Sequence, residues 1–357
     1  MTHLFLRVQE ERCMTEFWRI AQPFPGTSEQ NAIFAEEHGW DGLLFTDSQH
    51  HNGDCYAALA IAAKATKRIG LGTGVTNPYT RHAAVTASAI STIQVESDGR
   101  AVLGIGRGDS ALARLGLRPA SLGKFEAYLA DLQSYLNGQE VINNGYSAPI
   151  RWLAQQTSPN RPNLKVPVDV AATGPKVIEI AGRHADMLTF AVGADTKRMI
   201  AGVERARQAR ETTGGAAETL KFGAYINIAA HSDPALARLA SIGSVAVSAH
   251  FSGMDKAVRE QLTPSDRAVI EAVTRDYKVD RHGDPSAAHI EHLSDSFVSR
   301  FAIVGTPAQC VDRLGTLLED VPLSRVVFMG NSRGVDPAIL EEVATVVSEE
   351  VLPLVRG

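Results

Sequence analysis

Four short stretches of this sequence carry side chains suited to chemistry, and each directly follows an apolar run. In Thr46-Asp47-Ser48-Gln49-His50-His51 a carboxyl group and two imidazoles stand close together, a set able to give and take protons near neutral pH. The plain alternative for His50 and His51 is an ordinary solvated loop pair. The second stretch, 73–82 (TGVTNPYTRH), joins small residues to Asn77 and to Arg81-His82; the last two also suit capping and orienting a following helix. The third, 104–110 (GIGRGDS), is rich in glycine, which lets a ligand approach the backbone closely. In the fourth, 172–176 (ATGPK), Gly174-Pro175 opens a helix with proline in its favoured first-turn position. The free N–H groups of such a helix start can hold a phosphate. Short connections need Gly and Pro in any case, which explains any one of these loops. Four in the same register point to a ligand.

Other constellations carry less. Gly104, Gly106 and Gly108, like Gly70, Gly72 and Gly74, form GxGxG rather than GxGxxG. Neither set follows the first strand of a dinucleotide-binding unit, so a Rossmann nicotinamide site is rejected. His289 and His292 are spaced i,i+3 on a candidate helix, but no third metal ligand stands out, and a solvated face of an insertion fits them better. The same face could form an active-site lid that touches substrate. No metal site is expected. Cys55 follows Asp54 with no sign of thiolate activation, and Ser110 lacks a nucleophile-elbow setting.

The elements that position these loops are strands read as continuous apolar runs: 17–22 (FWRIAQ), 42–46 (GLLFT), 68–74 (RIGLGTG), 101–106 (AVLGIG), 166–172 (VPVDVAA), 187–192 (MLTFAV), 222–229 (FGAYINIA) and 325–329 (RVVFM). Continuous rather than alternating apolarity means burial on both faces, as in a parallel sheet covered by helices. Helix-like runs lie between them; one is capped by Thr27 or Ser28 and ended by Gly39, another closes the chain near 337–354. Eight such units predict an α/β protein built as a closed (β/α)₈ TIM barrel of about 250 residues, with its chemistry at the C-terminal ends of the strands. The remaining ~100 residues must be insertions. Segments 138–165 and 250–299 are the candidates, within one domain over 1–357. Residues 1–13 are a loose arm, an upstream start or an ordered cap.

The chain has 357 residues, a net charge of −5, 44% hydrophobic residues and three scattered cysteines. This length buries a sizeable core, and the composition excludes wholesale disorder. A mildly acidic balance gives no electrostatic reason to expect nucleic acid or an anionic membrane. No stretch approaches the roughly 18 apolar residues that span a bilayer. The cysteine usage is that of a reducing, cytoplasmic setting. A small-molecule partner is expected.

The stretch GLGTGVTNPYTRH, followed by AVTASAISTIQVESDGRAVLGIGRGDSALARLG, resembles the luciferase-like superfamily of flavin-dependent oxidoreductases. Within it the chain is most similar to the branch holding methylenetetrahydromethanopterin reductase and other deazaflavin-dependent enzymes. Gly174-Pro175-Lys176, Ala181-Gly182 and Ala185-Asp186 also match that family's AxGPKxxELAGxxAD pattern. The resemblance covers roughly 17–192 strongly and FAIVGTPAQCVDRL to RVVFMG more loosely. It implies a flavin or deazaflavin in the barrel mouth, with a backbone bulge at Gly74-Val75, often a cis non-proline peptide, under the tricyclic ring. Asn77, Gly106, Arg107 and Gly108 would lie near the cofactor, and Thr173, Gly174 and Pro175 near its phosphate. Asp47 matches an acidic residue ending the second strand. Many relatives place a functional histidine immediately after it, where this chain has Ser48.

Two activities follow. The favoured expectation is a monooxygenase using O2 and reduced FMN supplied by a separate reductase. Asp47, His50 and His51 would then handle protons, and segment 250–299 would exclude water. The alternative is hydride transfer with coenzyme F-420, for whose acidic tail Lys176, Arg107 and Arg183 are candidate contacts. A non-catalytic flavin-binding or assembly protein is the least supported reading, since the cofactor loops are intact. Family resemblance also implies a homo-oligomer.

Overall fold

A computed structural model describes residues 14–154, 165–253, 256–260 and 262–356. The N-terminal arm and the middle of the first insertion lie outside the described residues.

All eight expected strands form, but the expected 222–229 run divides at Asn227, and its second part, Ile228–Ala230, leaves the barrel. They are β1 (Glu16–Ala21), β2 (Gly42–Phe45), β3 (Gly70–Thr73), β4 (Ala101–Ile105), β5 (Val168–Ala172), β6 (Met187–Phe190), β7 (Lys221–Ile226) and β8 (Arg325–Phe328). They pair in parallel and in chain order, and β8 closes on β1 with Phe17 opposite Val326. β2, β4, β6 and β8 are buried at every position, which is the physical basis of their unbroken apolar pattern. Gly39, at φ +73°, ends the helix Ser28–Glu37 in the left-handed conformation that glycine adopts at least cost.

Inside the barrel the side chains stack in layers. At the N-terminal end, Asp169 accepts hydrogen bonds from the Thr189 hydroxyl at 2.7 and 2.8 Å. Arg325 reaches Asp169 at 3.5 Å and Glu16 at 3.1 Å, with its guanidinium 3.9 Å above the Trp18 ring. Trp18, Leu44, Val102, Tyr225 and Val327 fill the middle. Half-buried Ile20, Val75, Ala171, Ala191 and Met329 pack on them as an apolar floor toward the C-terminal end.

Two excursions leave this frame. Segment 138–165 includes a hairpin, Val141–Asn143 with Tyr146–Ala148, and the short helix Arg151–Ala154. Between β7 and β8, a small parallel pair, Ile228–Ala230 with Ile303–Gly305, brackets a second excursion. It contains helices Pro234–Ser252, Pro264–Asp276 and Asp295–Phe301, with a satellite core around Ile242, Val245, Ile270 and Phe297. His289 and His292 lie on a 3-10 turn, Ala288–His292, rather than on an α-helix. No group of three metal-ligating side chains assembles among the described residues, and no helix there is long and apolar enough to cross a membrane.

Glycine at the wall decides how the barrel fills. A Cβ on Gly42 would sit 2.2 Å from the Trp18 ring, and one on Gly70 would sit 2.4 Å from it. Gly42→Ala is therefore expected to lose about 1–3 kcal/mol through overpacking against a rigid indole. Gly315→Ala, in the helix Pro307–Asp320 with nothing near the added methyl, should gain about 0.4–1 kcal/mol. Urea unfolding of the two variants checks both signs.

Candidate active site

The loop after β2 is organised by Asp47, which is 4% exposed. Its carboxylate accepts from Gln49 Nε2 at 2.6 Å, Thr76 Oγ1 at 2.7 Å and Arg81 at 2.6 Å. Arg81 also reaches Asp54 at 2.7 Å and lies 4.6 Å over the Tyr56 ring. Asp54 in turn caps the helix Cys55–Ala65 by accepting from the backbone of Tyr56 and Ala57. Burial disfavours the Arg81 charge, yet the neighbouring Asp47 carboxylate pushes its pKa upward. With three donors on it, Asp47 is committed to holding the loops after β2 and β3 together, a positioning task. Burial pushes the Cys55 thiol well up, so it stays protonated.

The peptide Gly74–Val75 is cis, as the resemblance implied. Beyond it the chain runs on beside β4: Thr76 N–H donates to Gly104 O at 2.9 Å, and Gly106 N–H donates to Thr76 O at 3.0 Å. The adjoining glycines leave this edge bare. A Cβ on Gly104 would sit 2.1 Å from Thr73 O, and one on Gly106 would sit 3.2 Å from a Val75 methyl. Gly108 has φ +83° and packs where any side chain would meet Leu112 and Asn77. Asn77 Oδ1 accepts from the backbone N–H of Tyr79 and Thr80, which leaves its Nδ2 buried without a partner among the described residues. An unpaired buried donor costs about 1–3 kcal/mol. A bare backbone edge, an apolar floor and a waiting amide donor fit a flat, polar-edged ring such as a flavin or deazaflavin.

Arg107 ties the β4 loop to its neighbour, with Nε donating to Ala120 O at 2.6 Å. Gly174 caps the helix Pro175–His184, and its buried backbone lies against Val258 of the second excursion. Thr173 is half-buried beside it. The first N–H groups of this helix lack intrahelical partners, which suits an anion. Lys176 is an exposed partner of Glu179 at 3.2 Å. Arg183 lies in the last turn, paired with Glu126 at 2.7 Å, so it stands at the opposite end of the helix from Gly174 and is removed from any basic channel there.

The two adjacent histidines separate. His50 is exposed, whereas the His51 ring lies 5.5 Å from that of His282 in the second excursion. His282 Nδ1 is 2.5 Å from the Tyr277 hydroxyl, and Tyr277 stacks on His250 at 4.0 Å. Burial lowers the His282 and His250 pKa values to about 4 and also lowers that of His51. Asp109, after Gly108, is the residue that reading the sequence passed over. Burial raises its pKa to about 7, against the opposing charge of Arg107. The only trace of this in the sequence was a carboxyl group at the end of a glycine-rich strand loop. A rim cavity of about 490 Å³ lies between the excursion and the β8 loop, lined by Asp280, Asp284 and Arg333. Its lining does not include the Val75 floor.

Known proteins resemble this chain in sequence and in fold. A family model described as "Luciferase-like monooxygenase" matches residues 27–324. The chain belongs to this family. The 5,10-methylenetetrahydromethanopterin reductase of Methanolobus tindarius is 30% identical over 83% of this chain and 87% of its own. The F420-dependent glucose-6-phosphate dehydrogenase of Beutenbergia cavernae is 31% identical over 91% of this chain and 92% of its own. In structure, the coenzyme F420 dependent tetrahydromethanopterin reductase of Methanopyrus kandleri superposes with a TM-score of 0.73 at 22% identity. That match covers 95% of this chain and 99% of the other. The protein is thus a luciferase-like oxidoreductase with the family's TIM barrel.

Two outcomes test the electrostatics. Arg81→Met should cost about 3–5 kcal/mol in urea unfolding, because it strips the buried Asp47 of its counter-charge. Asp109 has a folded pKa raised above its unfolded value, so the folded state loses stability as pH climbs from about 4 to about 7. Asp109→Asn removes that loss: unfolding curves should show it no more stable than wild type below pH 4 and more stable at pH 8.

Proposed function

We propose that this protein is a coenzyme F420-dependent oxidoreductase that transfers a hydride between the deazaflavin and a small organic substrate. The observation that carries this reading is its near-full-length relationship, at 30–31% identity, to a methylenetetrahydromethanopterin reductase and an F420-dependent dehydrogenase. These relatives favour F420 over the FMN monooxygenase expected first, and on the F420 reading no partner reductase delivering reduced FMN is called for. When bound, the deazaflavin supplies two-electron hydride chemistry and does not activate oxygen usefully.

The chain's own residues have distinct tasks in this reading. Val75, on the cis Gly74–Val75 peptide, supports the ring with Ile20 and Ala171 beside it. Asn77 Nδ2 donates to the ring's polar edge, and Gly106, Arg107 and Gly108 line the approach. Thr173, Gly174 and Pro175 hold the phosphate. The second excursion shields the mouth from water, and Asp109, titrating near neutrality, moves protons between the site and solvent.

Anaerobic titration of the cofactor-free protein separates the two cofactors. F420 is expected to bind at micromolar concentration with a change in its fluorescence, and FMN to bind far more weakly. Tight FMN binding with no F420 binding, followed by oxygen consumption on admitting air to the reduced complex, would overturn the proposal.

A further inference from the structure

A buried charge stands unpaired well away from the barrel mouth. Trp18 and Ile20 of β1 point into the barrel, so Arg19 between them points outward, toward the helix Ser28–Glu37. Phe17 and Ala21, which share its face, belong to the apolar core. The Arg19 guanidinium carbon lies 4.7 Å from the centre of the Phe34 ring and 5.9 Å from that of Trp40. No hydrogen bond or ion pair reaches the Arg19 side chain among the described residues, and its Nη1 is buried without a partner there. Trp40, 5% exposed, likewise keeps a buried Nε1–H that donates to nothing among those residues.

The nearby carboxylates are committed elsewhere. Asp41 accepts from Phe17 N–H at 2.7 Å and from Arg356 at 2.6 Å. Glu36 accepts from the backbone N–H groups of Lys67, Arg68 and Ile69, and Glu37 is exposed. Burial lowers the Arg19 pKa to about 10, which still leaves it charged at neutral pH. An unpaired charge and an unpaired indole N–H are both costly in an apolar layer. Aromatic faces compensate a cation only in part.

We propose that Arg19 Nη1 and Trp40 Nε1 form a binding site for a small monovalent anion of the halide class, between β1 and the helix Ser28–Glu37. Both free groups are donors and neither is an acceptor, which selects an anion over a cation or a hydroxylated ligand. Water would satisfy the N–H groups but leave the charge unbalanced, whereas an anion does both. Two donors between aromatic walls suit a single weakly hydrated ion. A phosphate would leave most of its oxygens without partners. Arg19 as a residue is half-buried rather than sealed in, so an ion can arrive from solvent. Ile20, on the other face of the strand, packs in the apolar floor, so this site is separate from the one under the cofactor ring and does not rest on the F420 reading.

The test uses the full chain. Urea unfolding is followed as sodium gluconate, a bulky anion, is replaced by sodium chloride or bromide at constant ionic strength. The wild-type midpoint should rise along a saturable curve, half-complete at millimolar halide. Arg19→Met should lose that response and, in gluconate, be at least as stable as wild type, because the unpaired charge is gone. Trp40→Phe keeps an aromatic ring but not the N–H, and should need about 10-fold more halide for the same effect. A bromide anomalous peak within hydrogen-bond reach of Arg19 Nη1 in wild-type crystals supports the proposal even where neither variant folds. No saturable halide response in the wild type, an unchanged response in Arg19→Met or Trp40→Phe, or a carboxylate of the chain in place of bromide in that map overturns it.

Discussion

The buried Asp47 carboxylate is the interaction on which the site depends. It gathers Gln49, Thr76 and Arg81, and through Arg81 it fixes Asp54 and the start of the helix Cys55–Ala65. Thr76 is the key member, because it follows the cis Gly74–Val75 peptide and also pairs with Gly104 and Gly106 of the neighbouring strand. One carboxylate thus sets the path of the backbone where the cofactor ring would rest. A buried ion pair contributes little net stability when compared with apolar packing. Its value here is geometric, since losing either partner releases two loops at once.

Around that fixed edge the barrel presents backbone, small residues and an apolar floor. The excursion between β7 and β8 adds His250, Tyr277 and His282, packed against one another with both imidazoles neutral. Burial keeps these two histidines uncharged near neutral pH, while it raises Asp109, after β4, to about 7. The acid–base character of the mouth therefore comes from two different parts of the chain.

Much of the frame was legible in the residues. Strands such as 101–106 and 325–329 are read correctly because burial on both faces leaves no alternation to mistake. Gly174-Pro175 opens a helix as its residue types demand. Less legible were roles set by partners distant in sequence. Asp47 reads as a free proton-handling carboxylate until Arg81 and Thr76 close on it. Arg183 reads as a contact for an acidic cofactor tail until the helix carries it to the far end beside Glu126. His50 and His51 are indistinguishable in one dimension, yet only His51 meets His282.

The sequence by itself determined the barrel and the order of its eight strands, which follow from local residue type and period acting over a few neighbouring positions. The family came instead from the resemblance of longer motif stretches. Only the tertiary structure decided which titratable groups are buried, paired or neutral, and which of them face the mouth. Charge state depends on desolvation and on neighbours tens to hundreds of residues away in the chain. No local pattern encodes that His51 and His282 lie 5.5 Å apart, or that burial moves Asp109 to about pH 7.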